Sequence, residues 1–255
     1  MKLKGLILDL DGTVYRGSEA VPGAAEVIRD LHKRGVVIRY VTNRANRPGY
    51  VVRDQLLGMG LDCGPDDVIT SSDATADYLK PGPVYVIGEL GLREALDAKG
   101  FVIDEKRAEA VIVSFDREFN YAKLAVATKL ISNGARFVAT NPDRALRLAD
   151  GIVPGTGSIV AAVAAASGVE PLIIGKPERL IFDTTLRSMG LTADEVVAVG
   201  DNLDTDIPAG AAAGIRSAFI LTGISTREDL ATAKVQPDWT VANYDELRVV
   251  LEGLL

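Results

Sequence analysis

Residues 6–15 read Leu6-Ile7-Leu8-Asp9-Leu10-Asp11-Gly12-Thr13-Val14-Tyr15, and this stretch decides the fold. A short apolar run that ends in aspartates is typical of a buried strand that leads into a ligand-binding loop at the carboxyl edge of an open α/β sheet. Side chains two residues apart lie on the same side of a strand, so Asp9 and Asp11 can face one pocket. Gly12 permits the sharp turn that must follow.

Further runs of the same kind predict an α/β protein with a parallel sheet. They alternate with helical patterns, which is the signature of crossover connections between parallel strands. One helix is expected to begin at Pro22 and to end at Gly35. The predicted strands are Leu3–Leu8, Val36–Val41, Val84–Ile87, Ala110–Val113, Phe137–Ala139, Leu172–Ile174, Val196–Val199 and Ser217–Leu221.

Two segments rich in proline and glycine have the composition of domain joints. They are Lys80–Pro83 and Gly168–Pro171, and the residues between them carry their own strand and helix patterns. The sequence therefore predicts a core domain of residues 1–80 and 172–255, with a second α/β domain inserted at residues 81–171.

The composition excludes several classes of site and partner. The chain has 1 His and 1 Cys, whereas a structural zinc site needs four such ligands and a disulfide needs two cysteines. A net charge of −7 disfavours nucleic acid as a partner. The longest apolar stretch, Ile159–Ala166, is far shorter than the roughly 20 residues of a membrane span, and Asp9 and Asp11 interrupt the apolar run that a signal peptide requires. We expect a cytoplasmic protein, with neither nucleic acid nor membrane as a partner, whose chemistry rests on carboxylates.

The aspartate pair at positions 9 and 11 points to a metal and to acid–base chemistry. Two ionised carboxylates this close repel each other unless a cation or a shared proton relieves the repulsion, and Mg²⁺ is the hard cation that oxygen ligands suit. One carboxylate can then act as a nucleophile and the other as a general acid and base. The competing interpretation is that an Asp-x-Asp at a strand end only shapes a turn.

A second acidic cluster favours the functional interpretation. The apolar run Val196–Val199 is followed by Gly200 and then by three aspartates in six residues. Asp201 can complete the oxygen shell of a metal, and Asp206 can orient the residues that form this shell. We interpret Asp204 as the N-cap of a following helix.

Groups that suit a phosphoryl group follow two other predicted strands. Thr42 and Asn43 bring a hydroxyl and an amide to the end of one strand, and Lys176 lies between a glycine and a proline directly after another. Developing negative charge on a phosphoryl group calls for such donors and such positive charge.

In this order, Asp9-Leu10-Asp11-Gly12-Thr13, Thr42, Lys176 and Gly200-Asp201 with Thr205-Asp206 resemble the four motifs of the haloacid dehalogenase superfamily. Segments of the insertion resemble its NagD-like, 4-nitrophenylphosphatase-like branch. They are residues 84–91, 114–121, 139–143 and 154–159. The resemblance covers essentially the whole chain.

The resemblance implies a Rossmann-like core with an inserted cap, and a phosphatase that acts on small phosphomonoesters. Asp9 would form an aspartyl-phosphate, while Asp11 would protonate the leaving alcohol and then activate water. Mg²⁺ would be held by the Asp9 and Asp201 carboxylates and the Asp11 backbone carbonyl, with Asp206 orienting this shell. Thr42, the Asn43 backbone and Lys176 would hold the phosphoryl oxygens.

Several alternatives stay open at the level of sequence. A phosphotransferase or phosphomutase of the same superfamily would use the same residues, and a regulatory module that binds phosphoesters without turnover would be expected to have lost one of them. Arg44 stands where the branch commonly has Asn or Ser, and it either contacts an acidic substrate or points to solvent. Asn141 and Asp143 are candidates for substrate contact or for a simple Asn-Pro-Asp turn. A homodimer is a further alternative that stays open.

Overall fold

The structure is a computed structural model that describes residues 2–148 and 151–255. The described residues form two compact units. The first unit contains residues up to 42 together with 50–69 and 176–255, and the second unit contains 43–49 and 70–175.

The elements of both units alternate along the chain as strands and helices. The strands are β1 Gly5–Leu8, β2 Tyr15–Arg16, β3 Glu19–Ala20, β4 Val37–Thr42, β5 Val68–Thr70, β6 Pro83–Ile87, β7 Val102–Ile103, β8 Ala110–Val113, β9 Arg136–Ala139, β10 Ala145–Leu148, β11 Gly151–Pro154, β12 Leu172–Ile173, β13 Val196–Gly200, β14 Arg216–Ile220 and β15 Trp239–Val241. The helices are α1 Ala24–Lys33, α2 Gly49–Gly58, α3 Ser71–Tyr78, α4 Leu90–Ala98, α5 Tyr121–Ser132, α6 Thr156–Ser167, α7 Leu180–Met189, α8 Asp206–Ala212 and α9 Tyr244–Glu252.

The sheet of the first unit has the strand order β15-β14-β13-β1-β4-β5. Its first strand, β1, pairs in parallel with β13 on one side and β4 on the other, so that Leu8 lies opposite Val199 and Tyr40. Chain order therefore reverses at β1, and such a switch point leaves a crevice at the carboxyl ends of the strands. Asp9, which follows β1, and Asp201, which follows β13, lie close together at this edge.

An apolar core against this sheet holds the first unit together. Helix α1 buries the apolar side chains of one face, which recur at helical spacing. They are Ala24, Val27, Ile28 and Leu31. The same core contains Leu6 and Leu8 of β1, which are fully buried. Burial of a side chain of this size contributes about 1.5–3 kcal/mol, so β1 is fixed firmly beneath the loop that it carries.

The second unit has its own parallel sheet with the order β12-β9-β8-β6-β7. Strand β12 forms an edge of this sheet, with Leu172 opposite Val138 and Ile173 opposite Ala139. The antiparallel pair β10 and β11 also lies in this unit. A separate apolar core lies against the sheet and includes Val111, Val113 and Val163.

The predicted α/β class with parallel sheets is confirmed, and each of the eight predicted strands is present with small shifts at its ends. Two local features differ from expectation. Leu172 and Ile173 pair within the second unit, although the composition of Gly168–Pro171 predicted that the core resumes at residue 172. Helix α1 begins at Ala24 rather than Pro22, because Gly23 with φ 84° occupies the N-cap position.

Within the two described ranges, none of the helices combines the length and the apolar character needed to cross a membrane.

Candidate active site

Three aspartates of the first unit bring their carboxylates together at the carboxyl edge of its sheet. Asp9 follows β1, Asp201 follows β13, and Asp206 is the first residue of α8. One carboxylate oxygen of each lies within 4.8 Å of the others. The backbone N–H of Asp9 donates to the Val199 carbonyl over 2.9 Å, so the ladder between β1 and β13 extends to this residue and fixes it.

Lys176 carries the positive charge of this cluster. Its Nζ atom donates to Asp9 Oδ1 and, over 2.6 Å, to Asp206 Oδ1. The side chain is only 3% exposed. An ammonium group buried to this degree is stable only when it is paired and hydrogen-bonded, and two carboxylates meet that condition here.

Asp201 is held from two sides and packed closely by glycine. Its Oδ1 accepts a hydrogen bond from Thr13 Oγ1 over 3.1 Å, and its Oδ2 accepts one from the Ile224 backbone N–H over 2.6 Å. Gly12 has φ +93°, and a Cβ atom there would lie 2.5 Å from Asp201 Oδ2. Only glycine adopts this conformation at low cost and leaves room for the carboxylate.

Asp206 supports Lys176 through a fully engaged carboxylate. While Oδ1 accepts from Lys176, Oδ2 accepts from the Asn202 backbone N–H over 3.1 Å. The expected N-cap role of Asp204 is wrong, because helix α8 begins one residue later than such a cap allows and Thr205 takes the N-cap position. Asp204 is exposed and lies in the preceding turn.

The electrostatics of the cluster follow from three carboxylates facing one ammonium. Burial raises the pKa of Asp9 well above its ordinary value, and although Lys176 opposes this shift, the Asp206 and Asp201 carboxylates add to it. Burial, with the Asp206 carboxylate next, also raises the pKa of Asp201. For Lys176, burial acts to lower the pKa, but the Asp206 and Asp9 carboxylates prevail and raise it.

This donor set fits a hard divalent cation. Carboxylate oxygens are the ligands that Mg²⁺ prefers, and one Lys charge does not balance three ionised carboxylates. The pKa of Asp9 and of Asp201 is raised because both groups are buried and because neighbouring carboxylates add negative charge. A bound cation would favour the ionised form of both residues.

Asp11 lies in the turn after β1 rather than on the strand itself, and its side chain is exposed. Its Oδ2 accepts a hydrogen bond from Tyr15 Oη over 3.2 Å. The carboxylate of Asp11 is therefore oriented but accessible to solvent. Such a group can exchange protons with a leaving alcohol or with water.

The remaining predicted site residues are divided between the two units, with Thr42 in the first and the others in the second. Thr42 is the last residue of β4 and is 4% exposed. Asn43, Asn141 and Asp143 belong to the second unit and are bonded to one another there. Asn141 Nδ2 donates to the Asn43 carbonyl over 2.8 Å, and Asn43 Nδ2 donates to Asp143 Oδ2 over 3.2 Å. The Asp143 backbone N–H also donates to Asn141 Oδ1 over 3.2 Å, which is the bond of the turn that the sequence allowed.

Sequence reasoning did not identify the groups that hold the site residues in place. Thr13 comes two residues after Asp11, so its position in the sequence was the available signal. The Ile224 N–H and the Ser71 hydroxyl, which donates to the Asn43 carbonyl over 2.7 Å, come from distant segments with no local motif.

Comparison with known proteins gives matches along most of the chain. Residues 6–102 match the family model described as haloacid dehalogenase-like hydrolase, and residues 173–247 match the one described as HAD-hydrolase-like.

Individual relatives match over nearly their full length. The chain is 38% identical to the 5'-nucleotidase YutF of Bacillus subtilis over 95% of this chain and 96% of that protein. It is 39% identical to the acid sugar phosphatase of Staphylococcus aureus over 98% of each chain. Among solved structures, NagD from E. coli K-12 superposes with a TM-score of 0.92 at 34% identity, over 96% of this chain and 98% of that one.

Proposed function

The chain belongs to the NagD-like branch of the haloacid dehalogenase-like hydrolases and is a phosphatase, and from that premise we propose that it hydrolyses small phosphomonoesters with Mg²⁺ through an aspartyl-phosphate on Asp9. The observation that carries this proposal is the bond from Lys176 Nζ to Asp9 Oδ1 inside the three-carboxylate cluster. This bond supports a role for Asp9 as a nucleophile, because the ammonium group of Lys176 holds its carboxylate at the edge of the sheet where ligands bind.

Asp9 attacks the phosphorus atom, and the bond from phosphorus to the ester oxygen breaks. The bond from Lys176 to Oδ1 fixes one oxygen of the Asp9 carboxylate, which leaves Oδ2 to form the new bond. Because Lys176 counteracts part of the rise in the pKa of Asp9 that burial causes, it favours the ionised form that a nucleophile requires.

Asp11 moves the protons of both half-reactions. It gives a proton to the alkoxide oxygen as the alcohol leaves, and then takes one from the water molecule that attacks the phosphorus atom of the aspartyl-phosphate. Inorganic phosphate and free Asp9 result. The exposure of the Asp11 side chain and its anchoring to Tyr15 support this role, since the group must meet both the alcohol and water.

Three donors hold the phosphoryl oxygens in this proposal. They are the hydroxyl of Thr42, the backbone N–H of Asn43 and the ammonium group of Lys176. The nearly complete burial of Thr42 and Lys176 supports their role, because donors fixed in advance in a site that excludes water stabilise developing charge best. For Asn43 the support is its position directly after Thr42.

Mg²⁺ would be held by the carboxylates of Asp9 and Asp201 and by the backbone carbonyl of Asp11. When bound, it neutralises negative charge on the carboxylates and on the phosphoryl group. Asp206 would stay a supporting residue that holds Lys176 and the Asn202 N–H in place.

The names of the relatives support a small phosphomonoester as the substrate, such as a sugar phosphate or a nucleoside monophosphate. A cytoplasmic location stays a prediction from the sequence, and a homodimer stays an open alternative.

Hydrolysis of 4-nitrophenyl phosphate by the purified chain tests the proposal. We expect activity with Mg²⁺, its loss in EDTA and its return when Mg²⁺ is added back. Asp9→Asn should remove turnover and leave the circular dichroism spectrum unchanged. Asp204→Asn is the matched control, because Asp204 is an exposed aspartate between β13 and α8 that is outside the carboxylate cluster.

Acid quenching during turnover of a ³²P-labelled ester should leave label on the wild-type chain but not on Asp9→Asn. Full activity in Asp9→Asn would exclude the covalent mechanism, and activity in EDTA equal to that in Mg²⁺ would exclude the metal.

A further inference from the structure

We propose that Ser71 and Asn141 are positioning residues that fix Asn43, and through it the backbone N–H that the proposed function assigns to a phosphoryl oxygen. The inference rests on that function and deepens it. It gives Asn141 a role in binding the phosphoryl group common to all substrates, rather than in recognising one particular alcohol. All the contacts that carry it lie within the second unit.

The carbonyl oxygen of Asn43 accepts two hydrogen bonds from buried side chains. Ser71 Oγ donates over 2.7 Å, and Asn141 Nδ2 donates over 2.8 Å. Ser71 is fully buried and Asn141 nearly so. Two donors match the two lone pairs of a carbonyl oxygen, so this oxygen is held towards them, and a rotation of the backbone at Asn43 would break both bonds.

The side chain of Asn43 provides a further anchor. Its Nδ2 atom lies 3.3 Å and 3.2 Å from the two carboxylate oxygens of Asp143. Gly175 packs against the same residue, since a Cβ atom there would lie 2.5 Å from Asn43 Oδ1 and 3.1 Å from Asn141 Cβ. Carbonyl and side chain together fix the Cα atom of Asn43 and with it the position of the backbone nitrogen. The preceding peptide plane is held by Thr42, the last residue of β4.

Ser71 and Asn141 are themselves held in place by neighbouring hydrogen bonds. Ser71 is the first residue of α3, whose capping box joins Thr70 and Asp73 through reciprocal hydrogen bonds. Asn141 Nδ2 also lies 3.3 Å from Thr140 Oγ1, which donates to Ser114 Oγ over 3.0 Å. A functional group is positioned precisely when its supports are themselves locked. This arrangement explains why buried polar side chains gather at the ends of β8 and β9.

The two donors to one oxygen predict a specific energetic coupling. When either donor is removed, the other still satisfies the buried carbonyl, and the loss corresponds to one hydrogen bond. When both are removed, neither side-chain donor satisfies the carbonyl, which costs more than the sum of the two separate losses. Residues that share a partner in this way deviate from additivity, whereas independent residues do not.

The experiment measures steady-state hydrolysis of 4-nitrophenyl phosphate and its competitive inhibition by inorganic phosphate. Ser71→Ala and Asn141→Ala should each raise the Ki of phosphate about threefold to tenfold. This factor corresponds to the free energy that one typical hydrogen bond contributes. The double variant should exceed the product of the two single effects. Asn141→Asp has almost the same size but no donor, so it should be at least as impaired as Asn141→Ala, and Ser71→Thr should recover part of the loss of Ser71→Ala.

Ser72→Ala is the matched control. Ser72 is the next residue of α3, is equally buried, and donates its hydroxyl to another carbonyl of the same loop, that of Ala45, over 2.9 Å. It should change the Ki of phosphate less than twofold and combine additively with Asn141→Ala. Circular dichroism of every variant checks that the fold is kept.

The outcomes separate this inference from the function on which it rests. If the wild type neither hydrolyses the ester nor is inhibited by phosphate, the proposed function itself fails. If the wild type is active but Ser71→Ala acts no more strongly than Ser72→Ala, or the double variant is merely additive, the positioning role is wrong. An Asn141→Ala variant that changes KM for some esters and leaves the Ki of phosphate unchanged would make Asn141 a contact to the alcohol and overturn the inference.

Discussion

Replacing Lys176 with methionine should destabilise the chain strongly when no metal is present. Lys176 is 3% exposed and its partner Asp206 is 5% exposed, and their atoms lie 2.6 Å apart. Removing one member of a buried ion pair leaves an uncompensated charge, at a cost of about 3–5 kcal/mol. For a protein of this size each kcal/mol shifts Tm by about 2–4 °C, so Lys176→Met should lower Tm by about 6–20 °C.

Thermal unfolding followed by circular dichroism in EDTA measures this effect. Lys4→Met is the matched control, because Lys4 also lies 2.6 Å from a carboxylate, that of Glu195, but is 52% exposed. Pairs of that kind contribute little, since water screens them. Equal losses of Tm in the two variants would refute the account of the buried pair.

The same comparison has a predicted pH dependence. Without Lys176, the pKa of Asp9 should rise further above its value in the unfolded chain, because burial and the neighbouring carboxylates then act unopposed. A carboxyl group whose pKa is raised by folding destabilises the fold progressively as pH rises from its unfolded pKa towards its folded pKa. The Tm deficit of Lys176→Met should therefore be smaller at pH 5 than at pH 8, and a deficit that grows at acid pH would contradict this sign.

Two further predictions concern single residues. Asp11→Asn should lower turnover of 4-nitrophenyl phosphate severely, because the proposed mechanism assigns both proton transfers to this side chain. The Ki of inorganic phosphate should stay close to that of the wild type, because Asp11 lies outside the carboxylate cluster; an unchanged kcat would require another acid and base. Burial raises the pKa of the Cys63 thiol to about 12, so iodoacetamide at pH 8 should modify the native chain on the order of a thousandfold more slowly than the chain unfolded in urea. Equal rates in the two states would show that the thiol is not shielded.

The meeting of Asp9 and Asp201 could be expected from the sequence because it depends on strand ends alone. Asp9 and Asp201 follow apolar runs, and parallel strands bring their carboxyl ends to one edge whatever the length of chain between them. Lys176 is different, because it follows β12, which belongs to the second sheet. The strand ends of the first sheet therefore do not indicate that Lys176 joins the cluster. Its place between a glycine and a proline suggested that its position is fixed. That place did not indicate that Lys176 bonds to Asp9 and Asp206.

Other features depend on tertiary pairing that no local pattern encodes. The assignment of Leu172 and Ile173 to the second sheet follows from their pairing with Val138 and Ala139, and an apolar run of three residues carries no information about its partner. The hydrogen bonds that Asn43 makes with Ser71 and Asn141 join segments 28 and 98 residues apart. From the sequence, Asn141 could be nominated only as a residue that follows a strand.

Asp9, Lys176, Asp201 and Asp206 all belong to the first unit. Every charge of the cluster therefore comes from the two chain segments that flank the insertion, and the insertion contributes none of them. Substitutions in the second unit can therefore accumulate without adding or removing a charged group of this cluster.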